Sequence, residues 1–305
     1  MSFSSDVKKE LCRAEVGERC CAVAESYGAL LYCNTFRPNE IKFVTASREF
    51  TSRLPKLFKK AFGLDFDRVH DGGEGGTGVL HITDREKLFK IYDAFGADID
   101  NTPVHHVNLA VLEEACCRVS FLRGAFLAGG SVTDPEKRYH MELVTGHYNV
   151  SRETYALLLE LGFEPKETVR SGNQVLYFKK ADAISDLLCT IGAPISGMDI
   201  LNAKIEKSVS NTINRKLNCD FANADKVVAA AQEQLNAIKK LEQAYGIFEL
   251  PDGLMEAAML RIANPDVSLA DLALLSDPPV TKSCLNHRMK RLVAMAAKIP
   301  DDIGD

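Results

Sequence analysis

The sequence Cys20-Cys21-Ala22-Val23, which runs on to Gly28-Ala29, returns 96 residues later as Cys116-Cys117-Arg118-Val119, which runs on to Gly124-Ala125. Further matching segments follow in the same order, at offsets of 96 to about 100 residues. An ordered series of matches indicates internal duplication. The first two-thirds of the chain is therefore predicted to contain two copies of one structural unit.

Both copies predict the same order of elements, αββαββα. The helices are predicted at 18–33, 48–62 and 84–95 in the first copy and at 115–129, 151–161 and 181–191 in the second. The strands with defined limits are predicted at 41–46, 65–71 and 78–83, and at 140–145, 166–170 and 174–179. The glycine-rich tract 72–78 and the triplet Ser171-Gly172-Asn173 are predicted as the tips of the strand pairs.

Gly28 and Gly124 suggest how the two copies pack. Each lies in the first helix of its copy, and a residue without Cβ allows two helices to approach closely. We expect a pseudo-dimer about an internal two-fold axis. Its two antiparallel sheets are expected to form one saddle, with a concave face as wide as a DNA duplex.

Composition indicates a soluble globular chain of about two domains, with 305 residues, 46% hydrophobic residues and a net charge of −5. The N-terminus has no signal-peptide pattern and no apolar run is long enough to span a bilayer, so a cytoplasmic location is expected. The nine cysteines are odd in number and include no CxxC. They are interpreted as free, buried thiols, with no metal site and no cofactor.

The C-terminal part predicts an all-helical module. Asn223 is predicted to cap a helix over 224–245, and a second helix runs from Pro251-Asp252 to Asn264-Pro265. Ser268 is predicted to cap a helix over 269–275, with Asp271 completing a capping box. A final helix is predicted from Thr281 to Lys298.

The final helix has the pattern of a DNA-recognition helix. An apolar stripe is predicted at Leu285, Met289, Leu292, Ala296 and Ile299. The opposite side and the leading turns carry the candidate DNA-binding residues Lys282, Ser283, Asn286, His287, Arg288, Lys290 and Arg291. No acid occurs between Pro278 and Pro300, so this surface differs from an ordinary solvated face, where acids balance the bases.

Residues 208–218 are polar and mildly basic, and they allow two interpretations. They form either a linker or solvated helix, or a strap that contacts DNA phosphates. In the second case the contacts come from Arg215 and Lys216, together with Asn211 and Asn214.

Several segments together resemble the bacterial WhiA family over essentially the whole chain. They are Met1-Ser2-Phe3-Ser4-Ser5, the stretch 121–137 that begins Phe121-Leu122-Arg123-Gly124, Asn218-Cys219-Asp220, Asp277-Pro278-Pro279-Val280-Thr281-Lys282-Ser283, and Asn286-His287-Arg288. The resemblance implies a LAGLIDADG homing-endonuclease scaffold fused to a sigma-factor-like helix-turn-helix. It also implies a role in transcriptional control of sporulation, or in cell division and chromosome segregation.

The same resemblance bears on catalysis. In LAGLIDADG endonucleases an acid near the end of each first helix holds Mg²⁺, and these positions correspond here to Cys33 and Gly129. Neither residue binds Mg²⁺, and the nearest carboxylates are Glu25 and Asp134. We therefore expect no catalytic residues and no enzyme activity.

The sequence as a whole predicts an α+β fold in which a duplicated αββαββα LAGLIDADG-like pseudo-dimer precedes an all-α helix-turn-helix domain. The predicted limits are 1–98 and 99–195 for the repeats, 196–223 for a linker and 224–305 for the helix-turn-helix domain. The expected function is sequence-specific, non-catalytic DNA binding in transcription regulation. The alternatives are a Mg²⁺-dependent endonuclease with relocated ligands and a protein-interaction scaffold that acts with another transcription factor.

The expected partners are double-stranded DNA and, beyond it, another transcription factor or RNA polymerase, but no membrane. The chain is expected to be a nucleoid-associated monomer, because the internal pseudo-two-fold replaces a homodimer.

Overall fold

The computed structural model describes residues 2–73, 76–100 and 105–300. The chain divides into two compact units, Met1–Ser208 and Val209–Asp305. The first unit contains both predicted repeats, and the second contains the predicted helix-turn-helix module. No helix within the described ranges is long and apolar enough to cross a membrane.

The first repeat begins after an N-terminal helix that the sequence analysis did not predict. This N-terminal helix is α1 Phe3–Arg13. The elements of the repeat are α2 Arg19–Leu31, β1 Thr35–Arg37, β2 Glu40–Thr45, α3 Arg48–Phe62, β3 Arg68–His70, β4 Gly78–Ile82 and α4 Arg85–Ala94. The side chain of Ser47 accepts a hydrogen bond from the Phe50 amide, and that of Asp84 accepts from two amides of the first turn of α4. These N-caps begin the two helices where the sequence predicts them.

The second repeat has the same order of elements. After a 3₁₀ turn at Leu109–Leu112 come α5 Ala115–Gly129, β5 Gly130–Val132, β6 Met141–Thr145, α6 Tyr148–Glu160, β7 Lys166–Arg170, β8 Asn173–Phe178 and α7 Ala181–Ile191. The two strand orders, β1-β2-β4-β3 and β5-β6-β8-β7, are equivalent, and every pairing is antiparallel. The predicted duplication is thus confirmed in the topology.

The structure describes one of the two predicted strand-pair tips in full and the other only in part. Strands β7 and β8 are joined at Ser171 and Gly172, which both have positive φ (51° and 80°), so this predicted tip is correct. In the first repeat, Glu74 and Gly75 of the predicted glycine-rich tip lie outside the described residues.

Helices α2 and α5 pack against each other through the two predicted glycines. A Cβ on Gly28 would lie 2.0 Å from the Phe121 carbonyl oxygen, and a Cβ on Gly124 would lie 2.0 Å from the Glu25 carbonyl oxygen. Only a residue without a side chain allows this contact of helix backbones. The pseudo-dimer interface predicted from the glycines is therefore present.

The second unit buries its own hydrophobic core. It contains the end of α8 Pro194–Tyr245, then α9 Asp252–Ala263, α10 Leu269–Leu274 and α11 Lys282–Ala296. A short 3₁₀ turn, Ile247–Glu249, separates α8 from α9. The predicted limits of the last three helices agree with the structure to within a few residues.

One prediction about the middle of the chain, the helix cap at Asn223, is wrong. Residues 196–223, predicted as a linker, belong to the continuous helix α8, and Asn223 lies inside that helix instead of capping one. Residues 208–229 of this helix are all exposed. Val209, Ile213, Leu217 and Phe221 recur at steps of four, the spacing of a helix, but all four side chains are exposed.

The cysteines also differ from their expected burial. All nine are free thiols, but Cys20, Cys116, Cys189, Cys219 and Cys284 are exposed. Only Cys21 and Cys117 are buried. The prediction that the cysteines are buried thiols is therefore correct for two of the nine.

Candidate nucleic-acid interface

Helix α11 packs one side against its own domain. Leu285, Met289, Leu292 and Ala296 are buried, as is Ile299 just beyond the helix. All five belong to the predicted apolar stripe, which is therefore confirmed. Because this stripe faces the core, the opposite side of α11 is turned to solvent.

The solvent side carries most of the predicted DNA-binding residues. Lys282, Ser283, His287, Lys290 and Arg291 are exposed, and Asn286 is half-buried beside them. Thr281 begins the helix, since its side-chain oxygen accepts a hydrogen bond from the Cys284 amide at 3.2 Å. The cap sets the orientation of the first turn, where Lys282 and Ser283 lie.

Arg288 lies differently from the other predicted residues. Its Nη1 donates to Oε2 of Glu256 on α9 at 3.0 Å, and the guanidinium lies against Gly253. Arg288 thus joins α11 to α9 within the domain. Sequence periodicity places Arg288 at the edge of the apolar stripe but does not identify an acid 32 residues earlier as its partner.

A buried arginine, which the sequence analysis missed, holds the turn before α10. Arg261 is 1% exposed, and its Nη1 donates to the carbonyl oxygen of Val267 at 2.6 Å, while its Nε donates to Oε1 of Gln234 at 3.0 Å. Burial lowers the pKa of Arg261. The turn leads directly to Ser268, whose Oγ donates to Asp271 and accepts from the Asp271 amide, as the predicted capping box requires.

A cleft beside the start of α11 collects positive charge. Its lining includes Lys226, Arg261 and Lys282, together with the Ser268 side chain. Among the residues that line it, none is acidic. Such a cleft attracts anions such as phosphate groups.

Arg215 and Lys216 are exposed on α8, in the solvated stretch. Their position is compatible with both interpretations given above, a solvated helix or a strap. Their contact with DNA therefore stays a prediction.

Cys33 and Gly129, the two positions predicted to correspond to endonuclease acids, have other contacts. The Cys33 thiol donates a hydrogen bond to the Thr35 carbonyl oxygen at 3.1 Å, and burial raises its pKa to about 12. A Cβ on Gly129 would lie 2.5 Å from the Val144 carbonyl oxygen and 2.9 Å from the Tyr32 ring. A carboxylate at position 129 would therefore require the backbone to move.

The nearest carboxylates are also engaged. Glu25 is buried and accepts hydrogen bonds from Arg53 and Arg123. Asp134 Oδ1 accepts from the Glu136 amide, and the Asp134 carbonyl oxygen accepts from the Lys137 amide, which is the geometry of the predicted turn.

The exposed faces of the two sheets differ in charge. On the first sheet, the face opposite the core carries Lys42, His81 and Arg68. In the strand register His81 lies opposite both Lys42 and Arg68. Among the described residues of these four strands, the one acid is Glu40, which lies 3.8 Å from His81.

On the second sheet the equivalent face contains an ion-pair cluster. Glu142 accepts hydrogen bonds from both terminal nitrogens of Arg170 and lies 3.2 Å from His140. These partners lower the pKa of Glu142, although burial acts in the opposite direction. The first sheet is therefore the more positive of the two.

Comparison with known proteins gives consistent matches along the chain. Residues 118–210 match the WhiA LAGLIDADG-like domain, and residues 213–296 match the WhiA C-terminal HTH domain. A protein named "Probable cell division protein WhiA" from Ruminiclostridium cellulolyticum is 35% identical, covering 98% of this chain and 98% of its own. One of the same name from Alkaliphilus metalliredigens is 34% identical, covering 97% and 98%.

Among solved structures, the full-length DUF199/WhiA protein from Thermatoga maritima aligns with a TM-score of 0.59 at 23% identity. It covers 99% of this chain and 100% of its own, and it shows the same fold. The two repeats, the helix-turn-helix unit and the identity to full-length relatives all lead to one assignment: the chain belongs to the WhiA family.

Proposed function

We propose that this protein binds specific DNA sequences without cleaving them and regulates transcription, with a role linked to cell division. The observation that carries the proposal is helix α11, which buries its apolar stripe and exposes Lys282, Ser283, His287, Lys290 and Arg291 in a stretch free of acids. An α-helix with this distribution fits the major groove. The link to cell division follows from the names of the full-length relatives.

Individual roles follow from side-chain chemistry. Asn286 is the residue suited to adenine, since its amide bonds the N6 and N7 atoms together. Lys290 and Arg291 supply phosphate contacts or guanine recognition. Lys282 contributes to phosphate binding, because it lines a cleft that also contains Lys226 and Arg261.

The repeat unit adds a second contact surface. The first sheet, with Lys42 and Arg68 on its exposed face, is the better candidate for contact with a phosphate backbone. The second sheet, where Glu142 neutralises Arg170, is the less favourable one. Two linked surfaces of modest affinity bind one duplex more tightly than either alone, through effective concentration.

A non-catalytic role is supported by the residues at the former metal positions. Cys33 is held by a backbone carbonyl, Gly129 has no side chain, and Glu25 is neutralised by two arginines. Hard divalent cations require oxygen ligands, which this arrangement does not offer.

The test begins with fragmented genomic DNA of the host organism. Full-length protein is mixed with the fragments in the presence of Mg²⁺, bound fragments are sequenced, and product lengths are checked on a gel. We expect intact fragments that share a short motif. Cleaved fragments would contradict the non-catalytic assignment, and the absence of enrichment would favour a scaffold that binds another transcription factor.

Variants then test the recognition helix on the selected site. Asn286→Ala is expected to lower discrimination against a mismatched site by about 1–3 kcal/mol, or roughly 5- to 150-fold. Lys290→Ala is expected to reduce the slope of log K against log salt by about 0.9 if it contacts a phosphate. The matched control is Lys239→Ala, an exposed lysine on α8 outside the recognition helix. Binding unchanged in both α11 variants would refute the assignment of this helix.

A further inference from the structure

Four cysteines come together where the first helices of the two repeats begin. Cys20 and Cys21 lie in the first turn of α2, and Cys116 and Cys117 lie in the first turn of α5. Their four sulfur atoms all lie within 4.8 Å of one another. The duplication thus creates from two adjacent pairs a group of four thiols that neither repeat contains by itself.

The distances suit a single metal ion. A tetrahedral zinc ion with four sulfur ligands at about 2.3 Å holds these sulfurs about 3.8 Å apart. Sulfurs within 4.8 Å reach that separation by small rotations of the cysteine side chains. An iron–sulfur cluster places several metal atoms between its cysteines and needs a wider set of ligands. Four thiolates in tetrahedral reach select a soft or borderline ion such as Zn²⁺.

The surroundings favour thiolates once a cation is present. The positive ends of two helix dipoles lie at the cluster, because all four cysteines are in first turns. Neither N-cap residue, Glu18 or Glu114, uses its side chain to bond the first-turn amides. A bound cation deprotonates its cysteine ligands.

The site is both held in place and accessible. The contact of helix backbones at Gly28 and Gly124 fixes α2 against α5 only about two turns beyond the cysteines. Cys21 and Cys117 are buried, whereas Cys20 and Cys116 are exposed and provide a route of entry. Cys20 also lines an open cleft, together with Arg19, Lys90 and Asp93.

We propose that Cys20, Cys21, Cys116 and Cys117 form a tetrathiolate site for one Zn²⁺ ion, which joins the two repeats at the start of their central helices. The ion takes the place of four thiol protons, which are released to solvent, and no electron is transferred. Its role is structural, since all four coordination positions are filled by protein.

The test is a titration of the full-length protein with Co²⁺, a spectroscopic substitute for Zn²⁺. Protein purified under reducing conditions and freed of metal with a chelator is titrated without oxygen. We expect the strong visible absorption of tetrahedral cobalt thiolate, saturating at one equivalent and lost when Zn²⁺ is added. The melting temperature of the metal-free protein is expected to rise with Zn²⁺, because the ion binds only the folded site.

The double variant Cys20→Ser/Cys116→Ser changes the two exposed ligands and leaves the buried ones in place. It is expected to lose the cobalt bands at one equivalent and the rise in melting temperature with Zn²⁺, while its far-UV circular dichroism stays that of the wild type. Cys219→Ser is the matched control, an exposed cysteine on α8, and should retain both signals.

Three results would overturn the zinc site. The first is reduced wild-type protein that shows no tetrahedral cobalt bands. The second is cobalt bands that persist in Cys20→Ser/Cys116→Ser. The third is reduced protein that takes up no ion and forms disulfides among these four cysteines in air, mapped by peptide mass spectrometry, which would make the cluster a thiol–disulfide site.

Discussion

The buried charge of Glu25 provides a direct test of how the repeats are held together. Glu25 is 1% exposed, and its Oε1 accepts from Arg53 Nε at 2.6 Å while its Oε2 accepts from Arg53 Nη2 at 2.9 Å. Oε2 also accepts from Arg123 Nη1 of the second repeat at 3.3 Å. One carboxylate therefore contacts an arginine from each repeat.

We predict that Glu25→Gln destabilises the repeat unit by about 3 kcal/mol. The amide keeps the size of the side chain but removes the charge and turns an N–H group towards a guanidinium. Loss of one partner of a buried ion pair costs about 3–5 kcal/mol. The lower value applies here, because Arg53 also donates to the Cys12 and Ala14 carbonyl oxygens and Arg123 donates to the Ile191 carbonyl oxygen.

The assay is urea and thermal unfolding of the full-length protein, followed by circular dichroism. For a unit of this size, about 3 kcal/mol corresponds to a fall in melting temperature of roughly 6–12 °C. The control is Lys204→Gln, which removes a pair with Asp182 whose side chains are 47% and 63% exposed. Lys204→Gln should lower the free energy of unfolding by less than about 1 kcal/mol. A Glu25→Gln protein as stable as the control would refute the argument from a desolvated charge.

Two further predictions concern the same unit. Gly28→Ala should lower the free energy of unfolding by about 1–3 kcal/mol or more, because the new Cβ would lie 2.0 Å from the Phe121 carbonyl oxygen. The control is Gly146→Ala, whose Cβ would lie 3.7 Å from its nearest neighbour. It should leave the free energy of unfolding nearly unchanged in the same denaturation assay. Burial lowers the pKa of His105 and of His147 below the value of about 6.5 that they have when unfolded. The unfolded state therefore binds more protons, so stability should fall as the pH drops below about 6.5 and level off below the folded pKa values. His147→Gln should show a shallower fall in melting temperature between neutral and acidic pH, and an equal or steeper fall would count against this explanation.

Local signals in the sequence located most of the helices and strands. The box formed by Ser268 and Asp271 and the stripe that begins at Leu285 and Met289 act within one or two turns of a helix. Caps and apolar periodicity of this kind are readable without any tertiary contact. The middle of α8 has apolar residues at a spacing of four, Val209, Ile213 and Leu217, but they are exposed, and the helix there was not predicted.

Caps and apolar periodicity do not predict contacts between residues that lie far apart in the chain. Arg288 was predicted to contact DNA with its neighbours on α11, but it pairs with Glu256 on another helix. The cysteine pairs show no metal-ligand spacing along the chain, since their separation of 96 residues has no meaning until α2 and α5 pack. Glu25 is similar, because its burial between Arg53 and Arg123 depends on three different helices.

The sequence by itself determined the duplication, the αββαββα order and the amphipathic pattern of α11, since these depend on periodicity, capping and chain order. Only the tertiary structure decided which charges are neutralised inside the protein, which basic residues are left for solvent, and that four thiols share one place. The physical reason is that side-chain interactions act over a few ångströms in space, whereas the partners lie up to about a hundred residues apart in the chain.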